Sequence, residues 1–138
     1  DQLLDKLKSN LKEVQARGDA LHESNPMMGH RGVRLGVTYP EVTEMQIRAI
    51  FEAAAELIKS GKKCYPEIMI PVTSDVNELK HQKALCQRVY EEVIARKKAD
   101  EIPHTFGTMI EIPRAALLAD RMAQEAEFFS FGTTISHR

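Results

Sequence analysis

Two residues of this sequence are of the right type and setting to handle a phosphate or a metal ion. The first is Glu111, in the run Gly107-Thr108-Met109-Ile110-Glu111-Ile112-Pro113-Arg114. Phe106 to Ile112 reads as a short, nearly apolar strand, and Pro113 opens a helix rich in Ala and Leu. A carboxylate at the downstream end of a buried parallel strand lies where open α/β sheets and α/β barrels build their sites. Packing gives no reason for an acid there, since a buried charge is costly without a partner. It invites a cation, a substrate hydroxyl or a basic group. The second residue is Arg31, between Gly29 and Gly32 in the stretch His22-Glu23-Ser24-Asn25-Pro26-Met27-Met28-Gly29-His30-Arg31-Gly32. The two glycines allow backbone shapes that other residues resist. An Arg on such a loop can offer its planar fork to a phosphate or carboxylate. The plainer alternative is a solvated loop arginine.

The elements around these residues follow from periodicity. Leu3, Leu4, Leu7, Leu11 and Val14 form a helical stripe that predicts a core-facing helix over 1–17, ended by Gly18. Asn25-Pro26 is a turn signal, and Val33 to Val37 reads as a short strand. A second helix is predicted over about 43–60, with Thr43 and Gln46 as a capping box. Its apolar face is Met45, Ala49, Ile50, Ala53, Ala54, Leu57 and Ile58. Pro66 to Val72 reads as a strand buried on both faces. Ser74 is placed to cap a third helix over about 75–98, with the stripe Val76, Leu79, Cys86, Val89 and Val93. The mixed charges from Arg96 to Glu101 read as a solvated helix end. After the strand 106–112, a helix runs from Pro113 to about Gln124. Phe128 to Phe131 is then a further strand, with Gly132-Thr133 as its turn. The order is one leading helix and then β-α-β-α-β-α-β, the rhythm of a parallel α/β sheet with right-handed crossovers. Four strands suit an open sheet or half a barrel, with at least one exposed edge.

Composition sets the outer limits. With 138 residues, 43% hydrophobic and 28% charged, the chain is long enough for one domain with a real core. A net charge of −1 gives no electrostatic case for nucleic acid or an anionic membrane. No apolar run approaches the roughly 18 residues of a membrane helix. Cys64 and Cys86 have no second pair near them and read as reduced thiols of an intracellular protein. The absence of an initial Met points to a piece of a longer chain.

Five separated motifs then carry a resemblance. They are the stretch from His22 to Gly32, Tyr39-Pro40-Glu41, Pro66 to Pro71, Gly107 to Ala116, and Ala126-Glu127-Phe128-Phe129-Ser130-Phe131-Gly132-Thr133. Together, and in this order, they resemble the pyruvate, phosphate dikinases, in the middle of the C-terminal domain that binds phosphoenolpyruvate and pyruvate. Phosphoenolpyruvate synthase and enzyme I of the sugar phosphotransferase system share the general pattern. Met28 to Gly32 and Gly107 to Ala116 look most like the dikinases. The resemblance implies a partial (β/α)8 TIM barrel of about four βα units with a leading helix, spanning 1–138 as a single partial domain.

It also implies Mg2+-dependent phosphoryl transfer. A phosphohistidine on a swivelling domain exchanges its phosphoryl group with pyruvate, and an ATP-binding domain charges that histidine. Both domains would lie elsewhere in the parent chain, itself a homodimer, cytoplasmic or housed in an organelle such as a plastid or glycosome. Matched by motif, Arg31 corresponds to the arginine that holds the phosphoryl group. Glu111 corresponds to one of two carboxylates that bind Mg2+ and meet substrate. Gly132 and Thr133 correspond to the substrate-contacting loop after the next strand. Such an Arg and a metal suit a reaction catalysed by positioning and charge neutralisation. The family continues after the Gly-Thr turn with Asn-Asp, whereas this chain has Thr134-Ile135. One metal carboxylate and one polar substrate contact are thereby missing.

Three readings stand side by side: a dikinase fragment inactive on its own, a half-barrel that still binds Mg2+ or phosphoenolpyruvate weakly, and a non-catalytic piece whose sheet edge pairs with a partner. A glycosidase-like acid pair is not supported. Glu67 precedes its strand and Glu111 ends its own, so the two lie at opposite ends of a parallel pair.

Overall fold

The computed structural model describes residues 2–22, 28–99 and 101–132. Its centre is a parallel three-stranded sheet in the order β1 (Glu67–Ile70), β2 (Thr105–Ile110), β3 (Phe128–Phe131). The register pairs Ile68 with Phe106, and Thr108 with both Ile70 and Phe129. Of the expected β-α-β-α-β-α-β order, the last β-α-β-α-β is present, so the described residues hold three strands instead of four. The difference is at Val33–Thr38, which forms a short helix, α2, and not a strand. Its β-branched residues favour a strand only weakly. Here the segment turns back at once into α3 (Pro40–Lys59), and tertiary context overrides propensity.

Helix α3 starts at Pro40, three residues before the expected Thr43–Gln46 box, because proline at the first helical position nucleates the turn. Its buried residues are Ile47, Phe51, Ala54 and Ala55, whereas Met45, Ile50 and Leu57 of the expected face are exposed. The helix is apolar around more of its circumference than its neighbours here can cover. Helix α4 (Val76–Lys97) begins at Asp75, not Ser74. The Asp75 carboxylate accepts from the Asn77 amide at 2.9 Å, and Glu78 reaches back to the Ser74 and Asp75 amides. This reciprocal pair is a capping box. The α4 stripe is as expected, with Leu79, Cys86, Val89 and Val93 buried together with Gln82 and Leu85.

The last helical segment is broken at Leu118 into α5 (Pro113–Leu117) and α6 (Ala119–Met122). The leading helix α1 (Gln2–Ala20) does form, but from Leu4 onward every residue of it is exposed. Leu4, Leu7, Leu11 and Val14 lie on the surface, contrary to the expected core-facing stripe. Periodicity sets the helix and its apolar side, not what covers that side.

Helices α3 and α4 pack together over one face of the sheet, and the core runs from Ile47 and Phe51 through Val89 and Val93 to Ile68, Ile70, Phe106 and Ile110. The opposite face carries Met69, Gly107, Met109 and Ser130 by strand alternation. β1 is covered on one face only: Ile68 and Ile70 are buried while Glu67 and Met69 are exposed, so the expected double coverage fails. Its outer edge borders an open cavity of about 490 Å³ between α2, α3 and the strand. Within the sheet the backbone of β3 comes so close to Gly107 that any Cβ there would strike the Phe128 carbonyl and ring. The observed architecture is therefore a mixed α/β layer around a small parallel sheet.

Candidate functional site at the carboxyl rim of the sheet

All three strands point their carboxyl ends to one rim, and both residues singled out for chemistry lie there. Glu111 directly follows β2 and continues the alternation of Gly107 and Met109, so it emerges on the sheet face away from α3 and α4. It is half-buried, and its Oε1 accepts the Val72 amide at 2.7 Å. Its other oxygen, Oε2, lies beside Gly132 at the end of β3: a Cβ built on Gly132 would sit 3.2 Å from Oε2 and 3.0 Å from the Glu111 Cβ. The carboxylate is thus held by a backbone donor from the turn after β1, and it is flanked by the glycine that ends β3. Between the ends of β2 and β3 and the start of α5 lies a largely apolar cavity of about 270 Å³, lined by Glu111, Ile112, Pro113, Ala116, Phe131 and Gly132.

The loop that carries Arg31 reaches the same turn through Gly32 and Val33. Gly32 adopts φ 56°, the left-handed region that a side chain disfavours. It also presses on the turn after β1, where a Cβ would lie 2.6 Å from the Pro71 carbonyl oxygen and 2.8 Å from a Val72 methyl. The next residue donates its amide to that same carbonyl, Val33 N to Pro71 O, at 3.0 Å. Arg31 is exposed on this loop, next to the Pro71–Val72 turn that also binds Glu111. The expected freedom of backbone is used at Gly32.

Residues that sequence reasoning passed over brace the loop. Arg34 Nη1 donates to the Met28 and Gly29 carbonyls at 2.6 and 3.1 Å. His30 Nε2 lies 2.9 Å from Thr38 Oγ1 and 3.2 Å from the Arg34 carbonyl. In the sequence Arg34 falls within the expected strand Val33 to Val37 and draws no notice. Only the coiling of the chain into α2 brings its guanidinium back over the loop. Arg114, at the start of α5, pairs with Asp75 at 2.9 Å and ties the rim to the N-terminus of α4.

The Glu111 carboxylate and the backbone of the Arg31 loop therefore touch one turn. Gly132 stands next to Glu111. Thr133, with Thr134 and Ile135 after it, lies outside the described residues, as does the stretch 23–27. Among the described residues no group of three or more His, Cys, Asp or Glu gathers as a metal cage. Glu111 offers one hard oxygen beside an open rim. This donor set suits Mg2+, which often takes one or two carboxylates and fills its shell with water and substrate oxygens. Glu67 sits exposed at the opposite end of the sheet and can take no part. The cysteines are free, and Cys86 is buried, its thiol pushed up to about 11 by burial and then by the Glu127 charge. No helix among the described residues is long and apolar enough to cross a membrane.

Comparison with known proteins places this geometry in context. Residues 2–134 match the family model of the PEP-utilising enzyme, PEP-binding domain. The chain is 56% identical over 124 residues to a pyruvate, phosphate dikinase of Clostridium symbiosum, covering 89% of this chain and 14% of the relative. It is 53% identical over 125 residues to pyruvate, phosphate dikinase 1, chloroplastic, of Zea mays, covering 91% and 13%. A similar enzyme of Entamoeba histolytica is 56% identical over 114 residues, covering 82% and 13%. The chain spans about one seventh of the length of the curated relatives it matches.

Proposed function

Because the chain belongs to the PEP-utilising enzymes, in their PEP-binding domain, we propose that it is a segment of a pyruvate, phosphate dikinase and supplies part of that enzyme's phosphoenolpyruvate and pyruvate site. The parent reaction would interconvert ATP, pyruvate and phosphate with AMP, phosphoenolpyruvate and pyrophosphate. A phosphohistidine on a swivelling domain would carry the phosphoryl group, and a separate domain would bind ATP. In the parent the three strands would form part of a (β/α)8 barrel, with residues 1–138 as one partial domain, and two parent chains would pair. The cytoplasm, or an organelle such as the plastid of the maize relative, would house it.

The observation that carries this reading is the shared turn. Glu111 bonds to the Val72 amide while the Arg31 loop packs on Pro71 and donates to its carbonyl. An arginine on that loop and a carboxylate bonded to the same turn would form a two-point grip for a phosphorylated acid. Arg31 would take the phosphoryl oxygens through its fork. Glu111 would hold Mg2+ through an oxygen, with Gly132 and Thr133 bordering the substrate. When bound, the ion would neutralise charge developing on the phosphoryl oxygens. The protein's own part is positioning: Arg31 and Glu111 define where the phosphoryl group lies, and the apolar walls Ile112, Pro113 and Ala116 limit water on one side. With Thr134-Ile135 where the family has Asn-Asp, the segment alone would bind weakly and turn nothing over.

The test is pyruvate formation from phosphoenolpyruvate, AMP and pyrophosphate in a chain of parental length carrying this segment. Arg31→Ala and Glu111→Gln should each lower kcat by roughly 10²-fold or more if these groups act on the transferring phosphoryl group. Activity within a factor of two of the parent in either variant would refute the assignment of that residue.

A further inference from the structure

The turn that binds Glu111 is itself held from the other face of β2 by two buried hydroxyls. Thr73 and Thr108 are both fully inaccessible to solvent. Thr108 Oγ1 lies 2.8 Å from the Ile70 carbonyl oxygen and 2.9 Å from Thr73 Oγ1, which is itself 3.4 Å from the same carbonyl. One proton per hydroxyl satisfies the set: one of the two threonines donates to the Ile70 carbonyl and the other donates to its fellow hydroxyl. The resulting triangle bonds the middle of β2 to both sides of the Pro71–Val72 turn. Within that turn Val72 takes φ 62°, a left-handed conformation that a β-branched residue resists. Such a shape persists only where its surroundings over-determine it. Here it goes with the Val72 N–H being bonded to Glu111 Oε1.

Filling the core does not by itself call for these hydroxyls, since apolar groups of the same shape would occupy the same space; what they supply is hydrogen bonds to the Ile70 carbonyl and to each other. The hydroxyls add direction. Thr108 has no contact with Glu111, since its side chain belongs to the helix-covered face of β2 and Glu111 to the other. The link between them runs through Thr73 and the strained residue before it. We propose that Thr108, with Thr73, is a positioning residue for Glu111. By locking the Pro71–Thr73 turn it keeps the Val72 amide on Oε1 and leaves Oε2 alone, beside Gly132, for a cation or substrate. The Arg31 loop leans on the same turn through Gly32 and Val33, so one hydroxyl pair sets both sides of the rim. The consequence for ligands rests on the function proposed above; the positioning itself does not.

The test uses the ¹⁵N-labelled 138-residue chain, read at the Val72 amide by its proton shift and its hydrogen-exchange rate. The α4 amides report whether the fold is intact. Thr108→Val keeps the shape and removes the hydroxyl. It should move the Val72 proton toward its position in Glu111→Gln and speed its exchange by about tenfold, while the α4 signals stay in place. Thr108→Ser should restore both readings, and Thr73→Val should reproduce the loss from the other partner. A wild-type Val72 signal in Thr108→Val overturns the proposal. So does an unfolded Thr108→Val together with an unchanged Val72 in Thr73→Val. A Mn2+ titration separates the two ideas. Line broadening at Gly132 in the wild type, needing more Mn2+ in Thr108→Val, is the expected result. No broadening at Gly132 in the wild type, with the Val72 effects present, would remove Glu111 as a metal ligand and leave the positioning role standing.

Discussion

The carboxyl rim and the α3–α4 flank are built by opposite means. On the flank, Ile47, Phe51, Ala54 and Ala55 of α3 share a core with Cys86, Val89 and Val93 of α4, a contact held by area and tolerant of small changes. Its outer seam is a closed ring of charges: Arg48 bonds Glu44 at 2.9 Å and Glu92 at 2.5 Å, and Arg88 bonds Glu44 at 2.9 Å and Glu92 at 3.1 Å. Lys97 pairs with Glu56 and Arg96 with Glu52 further along, so the expected solvated helix end is also part of the seam. The rim has few such redundant contacts. There Val72, Thr73, Thr108 and Glu111 are joined by a few directed hydrogen bonds, with Gly32 pressed against the same turn. A scaffold can share its burden among many side chains, whereas a site needs particular atoms in particular places.

Substitutions can break that contrast or sharpen it. The largest expected loss is on the flank: Phe51→Ala should destabilise the fold by about 3–5 kcal/mol, since Phe51 is fully buried and packs edge-on against Tyr90 and His104. Denaturant unfolding checks it, and a loss under about 1 kcal/mol would mean the flank is not the scaffold. Gly32→Ala should follow, at roughly 2–4 kcal/mol for one added methyl, from the left-handed backbone together with the overlap with Pro71 and Val72. If the same unfolding measurement finds Gly32→Ala neutral, the rim is not close-packed as described. Glu111→Gln should cost about 1 kcal/mol or less of stability, because the amide oxygen can still accept from Val72. Paired with the large kcat loss expected above, this would mark the rim as a region where function and stability separate.

The smallest effect belongs to Arg88→Ala, which opens the exposed charge ring. Its change in melting temperature should be slight and should vanish as salt screens the pairs. The same ring gives a direction with pH. Arg88 and then Arg48 hold the Glu44 carboxyl below its usual range, and Arg48 and then Arg88 do the same for Glu92. A carboxyl lowered in the folded state contributes stability above its unfolded value and loses it as pH falls through the folded one. The ring's share should therefore fade in acid, below the ordinary carboxylate range, and Arg88→Ala should flatten that slope in melts recorded against pH.

Much of the fold was legible. The stripe of α4, the strands at 67–70, 105–110 and 128–131, and the proline start of α5 all follow from local patterns of period 3.6 or 2. The misreadings share one cause. Val33–Val37 looked like a strand, the leading helix looked core-facing, and Pro66–Val72 looked covered on both faces. Each judgement needed to know what lies alongside, which the local pattern does not carry. Ser74 against Asp75 as the cap of α4 is a smaller case, since both residue types cap well and only backbone geometry decides.

By itself the sequence determined the residue types of the site, their order and the elements that carry them, because each depends on neighbours a few positions away. It placed Glu111 at a strand end and Arg31 on a glycine-flanked loop for that reason. Only the tertiary structure decided that the two share one turn, that Val72 is bent into a left-handed shape to bond Glu111, and that Thr73 and Thr108 meet beneath it. Those pairs stand 35 and 39 residues apart in the chain. Contacts of that span are set by how the strands align side by side, and a one-residue slip in register would turn each of these side chains to the other face.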